Sequence, residues 1–387
     1  MKKSRRNFLG KFGLGLASVL GGTYQSLAKN DPSDNLTDKT KKMKNQQPQE
    51  TNPILSIKPL GFQWETADPF LFCVHHDDKF PKGNEQMEPD PSLLEGRNIG
   101  QDFMLKDGWR MYHGETIPGF PGHPHRGFET ITVVRKGMVD HADSLGGAGR
   151  YGDGDVQWMT AGKGVQHSEM FPLIHQDKDN HMELFQIWIN LPKKDKMVNA
   201  HYKMLWGEDI PNYNYKDAQG KLTEVEVIAG VLDNQKAPAP PPNSWAAEES
   251  HEVAVWNIRI EGNGTWTLPK GSAAVNRTLY FYEGDHLELG GTTIASYHAV
   301  VVKADQELSI KVGDSGAKIL LLQGKPINEP VVQHGPFVMN TRQEIQQAFA
   351  DYQQTRFGGW PWARYDQVHA RNLGRFAKHA DGTEEIK

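Results

Sequence analysis

Gly122-His123-Pro124-His125-Arg126-Gly127-Phe128-Glu129-Thr130-Ile131-Thr132-Val133-Val134 is the stretch on which the fold turns. The β-branched run after Glu129 argues for a strand, because such side chains pack well on a pleated surface. Strand side chains alternate between faces, so His123 and His125 point the same way. A regular strand carries that face on through Glu129, Ile131 and Val133. Ligands followed by core residues describe the inside of a small barrel.

Downstream, Lys136-Gly137-Met138-Val139-Asp140-His141-Ala142-Asp143-Ser144-Leu145-Gly146-Gly147 reads as turn, strand and glycine-rich turn. Asp153-Gly154-Asp155-Val156-Gln157-Trp158-Met159 opens another hairpin. Ala161-Gly162-Lys163-Gly164-Val165-Gln166-His167-Ser168-Glu169 then brings a further histidine and a carboxylate, again two apart and on one face. Two antiparallel strands, each with such a pair, can converge four side chains on one point. Imidazoles with a carboxylate suit iron, manganese, nickel, copper or zinc rather than calcium or magnesium. Such a site keeps positions open for water, substrate or dioxygen. A structural zinc site is more usually closed, often by cysteines. This chain has only Cys73, which is expected as a buried small hydrophobe in Phe70-Leu71-Phe72-Cys73-Val74.

The 387 residues allow two or three domains, and 39 glycines with 23 prolines punctuate short strands, so the class is all-β. Net charge is −5 and no basic block follows the first dozen residues, which gives no nucleic-acid surface. No apolar run reaches the roughly 20 residues of a membrane span. Residues 1–28 combine a basic start (Lys2, Lys3, Arg5, Arg6) with a glycine-rich apolar stretch and Ser26-Leu27-Ala28, the pattern of a signal peptide. Ser4-Arg5-Arg6-Asn7-Phe8-Leu9 resembles the twin-arginine export signal, so a periplasmic or exported location is expected. Residues 29–52 are polar and aperiodic, and read as a disordered tether.

His123-Pro124-His125-Arg126-Gly127-Phe128-Glu129-Thr130, Asp143-Ser144-Leu145-Gly146, Gly154-Asp155-Val156-Gln157-Trp158-Met159-Thr160-Ala161-Gly162 and His167-Ser168-Glu169-Met170 resemble, in order and spacing, the signature blocks of the pirin family of the cupin superfamily. Leu191-Pro192 with Lys194-Asp195-Lys196-Met197, and Gly335-Pro336-Phe337-Val338-Met339-Asn340-Thr341, are similar to further pirin segments. The resemblance implies a bicupin: a metal-bearing barrel at 53–200, a second barrel without metal at 201–335, and a C-terminal helix and tail at 336–387 that packs back on the body. It implies His123, His125, His167 and Glu169 as ligands of one divalent transition metal, with Glu129 left at the rim. Iron is expected on chemistry and availability, with zinc, manganese, nickel and copper as alternatives. It further implies a dioxygenase that cleaves flavonols of the quercetin type with dioxygen, Glu169 taking the substrate's hydroxyl proton. Two barrels in one chain can make the pairing by themselves, so a monomer is expected. The alternatives are a metal-binding periplasmic sensor or binding protein without turnover, and another cupin chemistry such as isomerisation.

Elsewhere, Val225-Glu226-Val227-Ile228-Ala229-Gly230 and Lys318-Ile319-Leu320-Leu321-Leu322 read as buried strands of the second barrel. Its His251, His286, His298 and His334 lack convergent partners and read as ordinary histidines. Thr341 and Glu344 form a capping box, and Ile345, Ala348, Phe349 and Tyr352 make an apolar stripe. His75-His76-Asp77-Asp78 is no ligand cluster, because adjacent strand residues face opposite ways. His113 and His141 flank the site in sequence. Arg126, Glu129 or His113 is expected to orient a substrate, and Phe128, Trp158, Met159 and Met170 are candidates for its pocket lining and equally good core residues. His175 and His181 read as a solvated loop.

Overall fold

The computed structural model describes residues 52–387, so the signal segment and all of the tether but Asn52 lie outside it. Among the described residues no helix is long and apolar enough to cross a membrane. The chain is mostly β and forms the expected two cupin barrels. Eleven strands open it: β1 (Ile54–Pro59), β2 (Gln63–Trp64), β3 (Phe70–Phe80), β4 (Gly119–His125), β5 (Phe128–Lys136), β6 (Met138–Asp143), β7 (Ala148–Gly152), β8 (Val156–Thr160), β9 (Val165–Met170), β10 (Asn180–Asn190) and β11 (His201–Leu205).

The first barrel sets a sheet of order β11-β8-β5-β10-β3-β2 against one in which β7, β6, β9 and β4 follow one another. That second sheet is extended beyond β7 by a hairpin from the chain's tail, Phe376–Lys378 and Glu384–Ile386. The second barrel packs a seven-stranded sheet on a four-stranded one, around Trp266, Leu279, Phe281, Leu287, Ile310, Ile319 and Leu321. Val225–Ala229 and Lys318–Leu322 lie in its strands as expected.

The barrels are less contiguous in sequence than the 53–200, 201–335 and 336–387 division expected. β1 leaves the first barrel and pairs with His298–Val302 at the edge of the second. β11 pairs with β8 and belongs to the first. The tail hairpin returns to the first as well. Between the barrels Trp64, Ile131, Val133, Trp158, Ile187, Tyr280, Leu320 and Leu322 form one apolar layer, with Cys73 fully buried in it.

The helix α1 (Arg342–Thr355) starts at the capping box: Thr341 Oγ1 accepts from Glu344 N, and Glu344 Oε2 accepts from Thr341 N. Ile345, Ala348 and Tyr352 are buried and Phe349 is half-buried against Phe337. α1 lies on the outer face of the first barrel. Arg126 pairs with Asp351 at 2.7 Å, and Tyr352 Oη donates to Gln166 Oε1 at 2.8 Å.

Candidate metal centre

The strand pairing β4·β9·β6 builds the site. Opposite residues of an antiparallel pair share a face. His123 lies across from His167, which lies across from Asp143. Phe120 lies across from Glu169, which lies across from His141. A bulge between Phe120 and His123 lets both rows form. His123, His125 and His167 each bring a nitrogen within 4.8 Å of the other two, and their rings stand 4.5–5.0 Å apart.

All three histidines are buried, His167 completely. Burial holds each imidazole neutral: His123 is brought down to about 4, and His125 and His167 lie well below their usual value. Neutral rings keep a lone pair, which a cation needs. Among the described residues neither ring nitrogen of His167 has a hydrogen-bond partner. A buried nitrogen without a partner is costly, so the one that His167 turns to His123 and His125 describes a site shaped for a ligand atom. His123 Nδ1 donates to the Pro121 carbonyl at 3.0 Å, which places its lone pair on Nε2. The donor set fits a transition metal.

Glu169 stands beside this cluster, with Oε2 at 3.9 Å from His167 Nε2. The facing sheet holds the carboxylate through Thr132 Oγ1 at 2.9 Å and Gln186 Nε2 at 3.0 Å. Burial raises Glu169 above the usual carboxylate range, while Thr132, His141 and Gln186 pull it back. His141 lies behind His167, with rings 5.6 Å apart, and its Nε2 meets Asp143 Oδ2 at 3.1 Å. His113 packs on Phe103 and Phe120 at the rim, its Nδ1 donating to the Gly100 carbonyl.

Glu129 is where the regular-strand reading fails. Gly127, at φ +86°, turns the chain from β4 in one sheet to β5 in the other. A Cβ there would lie 2.0 Å from the Val338 carbonyl oxygen, so the turn requires glycine. The buried Lys196 ammonium pins the turn, donating to the carbonyls of Gly127 (2.7 Å) and Val338 (3.2 Å) and to Asn190 Oδ1 (2.6 Å). Beyond the turn the faces are exchanged. Thr132 and Val134 look into the first barrel, whereas Glu129, Ile131 and Val133 look toward the second. Glu129 accepts from Trp158 Nε1 and Thr160 Oγ1, and burial pushes its carboxyl to about 7.

Other expected residues separate in the same way. Phe128 packs 5.1 Å from His125, and Met159 joins the first barrel's core. Trp158 turns to the inter-barrel layer, and Met170 alternates off Glu169's face. Arg126 points outward onto Phe357 and Asp351 rather than toward a substrate. His181 lies in β10, not a loop, and pairs with Asp77. Thr132 and Gln186 carried no signal that sequence reading could use, since they reach Glu169 from another sheet.

Comparison with known proteins agrees with this fold. The pirin family model matches residues 58–189, and the model of the pirin C-terminal cupin domain matches residues 255–358. A Pseudomonas aeruginosa protein provisionally named a quercetin 2,3-dioxygenase is 39% identical over 240 residues, which are 61% of this chain and 79% of that protein. Pirin-1 of Arabidopsis thaliana is 38% identical over 242 residues, 62% of this chain and 78% of that protein. The crystal structure of a quercetin 2,3-dioxygenase from Acinetobacter baumannii superposes with a TM-score of 0.62 at 26% identity, covering 79% of this chain and 98% of that one.

Proposed function

This chain belongs to the pirin family, and we propose that it is a metal-dependent dioxygenase acting on flavonols of the quercetin type. The observation that carries the reading is the buried, neutral histidine triad with Glu169 beside it and, among the described residues, no hydrogen-bond partner for either nitrogen of His167. His123, His125 and His167 hold the ion, with Glu169 as fourth ligand or as the group beside it, and iron is the ion proposed. A bound divalent metal supplies Lewis acidity that lowers the pKa of a coordinated hydroxyl.

The chain's own residues supply the rest. Glu169, made more basic by burial, takes the hydroxyl proton of the flavonol. Thr132 and Gln186 fix the carboxylate, with Oε2 held 3.9 Å from His167 Nε2. Dioxygen then adds across the electron-rich enolate: two carbon–oxygen bonds form, both carbon–carbon bonds to the enol carbon break, and that carbon leaves as carbon monoxide while both oxygen atoms stay in the ring-opened product. Phe128, Trp188 and Phe120 form an apolar surround that keeps water from competing.

The test is oxygen uptake with quercetin at known metal occupancy, alongside His167→Ala and Glu169→Gln. Uptake that disappears with His167→Ala supports the reading, and Glu169→Gln should keep metal while losing turnover. Full occupancy with no uptake across several flavonols would sink it. Export rests on Ser4-Arg5-Arg6-Asn7-Phe8-Leu9. Fractionating cells that carry Arg5→Lys with Arg6→Lys should strand the protein in the cytoplasm, and unchanged periplasmic protein would refute it.

A further inference from the structure

His76 lies outside the histidine cluster yet ends an ordered chain of polar groups. On β3 the adjacent histidines part, as alternation requires. His75 stacks on Phe185 at 4.6 Å and meets Glu183, in the direction of the second barrel. His76 pairs across to Leu184 and faces the first barrel's interior. Its Nδ1 is 2.7 Å from Tyr112 Oη, Tyr112 Oη is 2.5 Å from Asp78 Oδ2, and Arg110 Nη1 donates to Asp78 Oδ1 at 3.1 Å.

The proton directions in this chain are forced. The Asp78 carboxylate only accepts, so the single phenolic proton of Tyr112 goes to it. Tyr112 Oη must then accept, and His76 Nδ1 carries the hydrogen. A neutral imidazole so arranged has a bare lone pair on Nε2. Burial, with Arg110 and His75 nearby, holds His76 neutral, down to about 3. Asp78 is itself raised to about 6 by burial, against the pull of Tyr112 and Arg110, and its ion pair with Arg110 at 3.1 Å favours the carboxylate as acceptor.

Tyr112 is fully buried and in the left-handed region at φ +57°. Its backbone exchanges two hydrogen bonds with Asp102, of 2.8 and 2.9 Å, and Asp102 is held by Arg97 at 3.0 Å. A non-glycine residue keeps such a conformation only where its surroundings over-determine it, a pattern common at functional sites. Among the described residues His76 Nε2 has no hydrogen-bond partner. The His76 ring stands 6.0 Å from Phe120 and 6.1 Å from Phe62, and Phe120 is 6.3 Å from His123.

We propose that His76, aligned by Tyr112 and Asp78, accepts a hydrogen bond from a phenolic hydroxyl of the substrate, across Phe120 from the histidine triad. An acceptor-only nitrogen calls for a donor, and the rings of Phe62 and Phe120 favour an aryl group over an aliphatic alcohol. Arg110, over the Phe62 ring, disfavours a cationic donor such as an amine. Tyr112 and Asp78 are positioning residues. That the phenol belongs to a flavonol rests on the proposed dioxygenase function; the acceptor site itself does not.

The experiment has a binding arm and a kinetic arm. In zinc-loaded protein labelled with 15N-histidine, the Nε2 resonance of His76, assigned with His76→Gln, should move on titration with catechol and stay still with anisole, which has no hydroxyl. In the metal-loaded enzyme, His76→Phe should raise KM for quercetin about five- to tenfold, the worth of one hydrogen bond, and leave 3-hydroxyflavone unchanged. His76→Gln, which keeps an acceptor oxygen, should recover most of that loss, and Tyr112→Phe should fall between. An Nε2 signal indifferent to catechol, or equal losses for both flavonols, overturns the inference. A signal that moves with catechol in a protein that consumes no flavonol upholds the acceptor site and refutes the dioxygenase reading.

Discussion

The two barrels share an architecture and differ in what lies on each side of their strands. In the second, Leu308–Val312 alternates strictly between buried and exposed residues, and Leu287, Leu289, Ile310 and Val312 fill the inside. In the first, β7, β8 and β9 are buried at every position, and their inner faces carry His167 and Glu169 among other polar groups. A polar interior forgoes hydrophobic stabilisation and exposes buried groups to desolvation costs. The first barrel offsets this by burying its outer face too, under α1 and the tail. Gln166, next to His167, is held by the carbonyls of Arg356 and Gly359 and by Tyr352. Gly122, next to His123, donates its N–H to the Tyr365 carbonyl, and Trp362 Nε1 reaches the Asp143 carbonyl.

The contrast can be broken first at the metal. His167→Ala should lower metal occupancy and oxygen uptake by at least about a hundredfold, read by elemental analysis and an oxygen electrode. The next largest effect is expected at Asp140, fully buried and bidentate to Arg150 at 2.7 Å, while Arg150 also donates to the tail carbonyls of His369, Ala370 and Leu373. Asp140→Asn leaves that guanidinium uncompensated and should cost roughly 3–5 kcal/mol in denaturant unfolding, with the tail loosened to proteolysis. In the second barrel Ile310→Ala should cost about 3 kcal/mol by opening a cavity, with metal content per chain unchanged. Thr341→Ala removes the capping box of α1 and should cost about 1 kcal/mol.

The smallest signal sharpens the boundary between the barrels. Glu129 has its folded pKa raised to about 7 from 4.5, so its contribution to stability is complete below about 4.5 and is lost as pH rises through about 7. A protonated-carboxyl infrared band should titrate near pH 7 and vanish in Glu129→Gln. A band already gone by pH 5 would show that the donors around Glu129 outweigh its burial.

What the sequence disclosed follows from the range of the interactions. The spacing of His123 with His125 and of His167 with Glu169 is local, and the pleat turns it into a shared face, so the cluster was legible. So was the capping box, whose partners are three residues apart. The exchange of faces at Gly127 was not, because one glycine with positive φ inside a β-rich run leaves no periodicity to mark it. It alone turned Glu129, Ile131 and Val133 off the ligands' face and brought Thr132 to the first barrel's inner side. Gln186, Tyr112 and the tail's contacts join residues distant along the chain, and no local pattern encodes them. The resemblance to pirins implied Glu169 over Glu129 as the carboxylate; the structure sets Glu169 Oε2 3.9 Å from His167 Nε2 and turns Glu129 toward the second barrel.

The exchange of chain ends between the barrels has a consequence in time. The second barrel recruits β1, the earliest described strand, and the first recruits the hairpin at Phe376–Lys378 and Glu384–Ile386, which follows the whole second barrel along the chain. The ribosome therefore cannot release a finished first barrel while the second is still being made. The ligand-bearing sheet acquires its edge and its outer cover only after the second barrel has been made. Maturation of the metal centre is thereby tied to synthesis of the second barrel, and a chain cut short of the hairpin carries its histidines without the frame that fixes them.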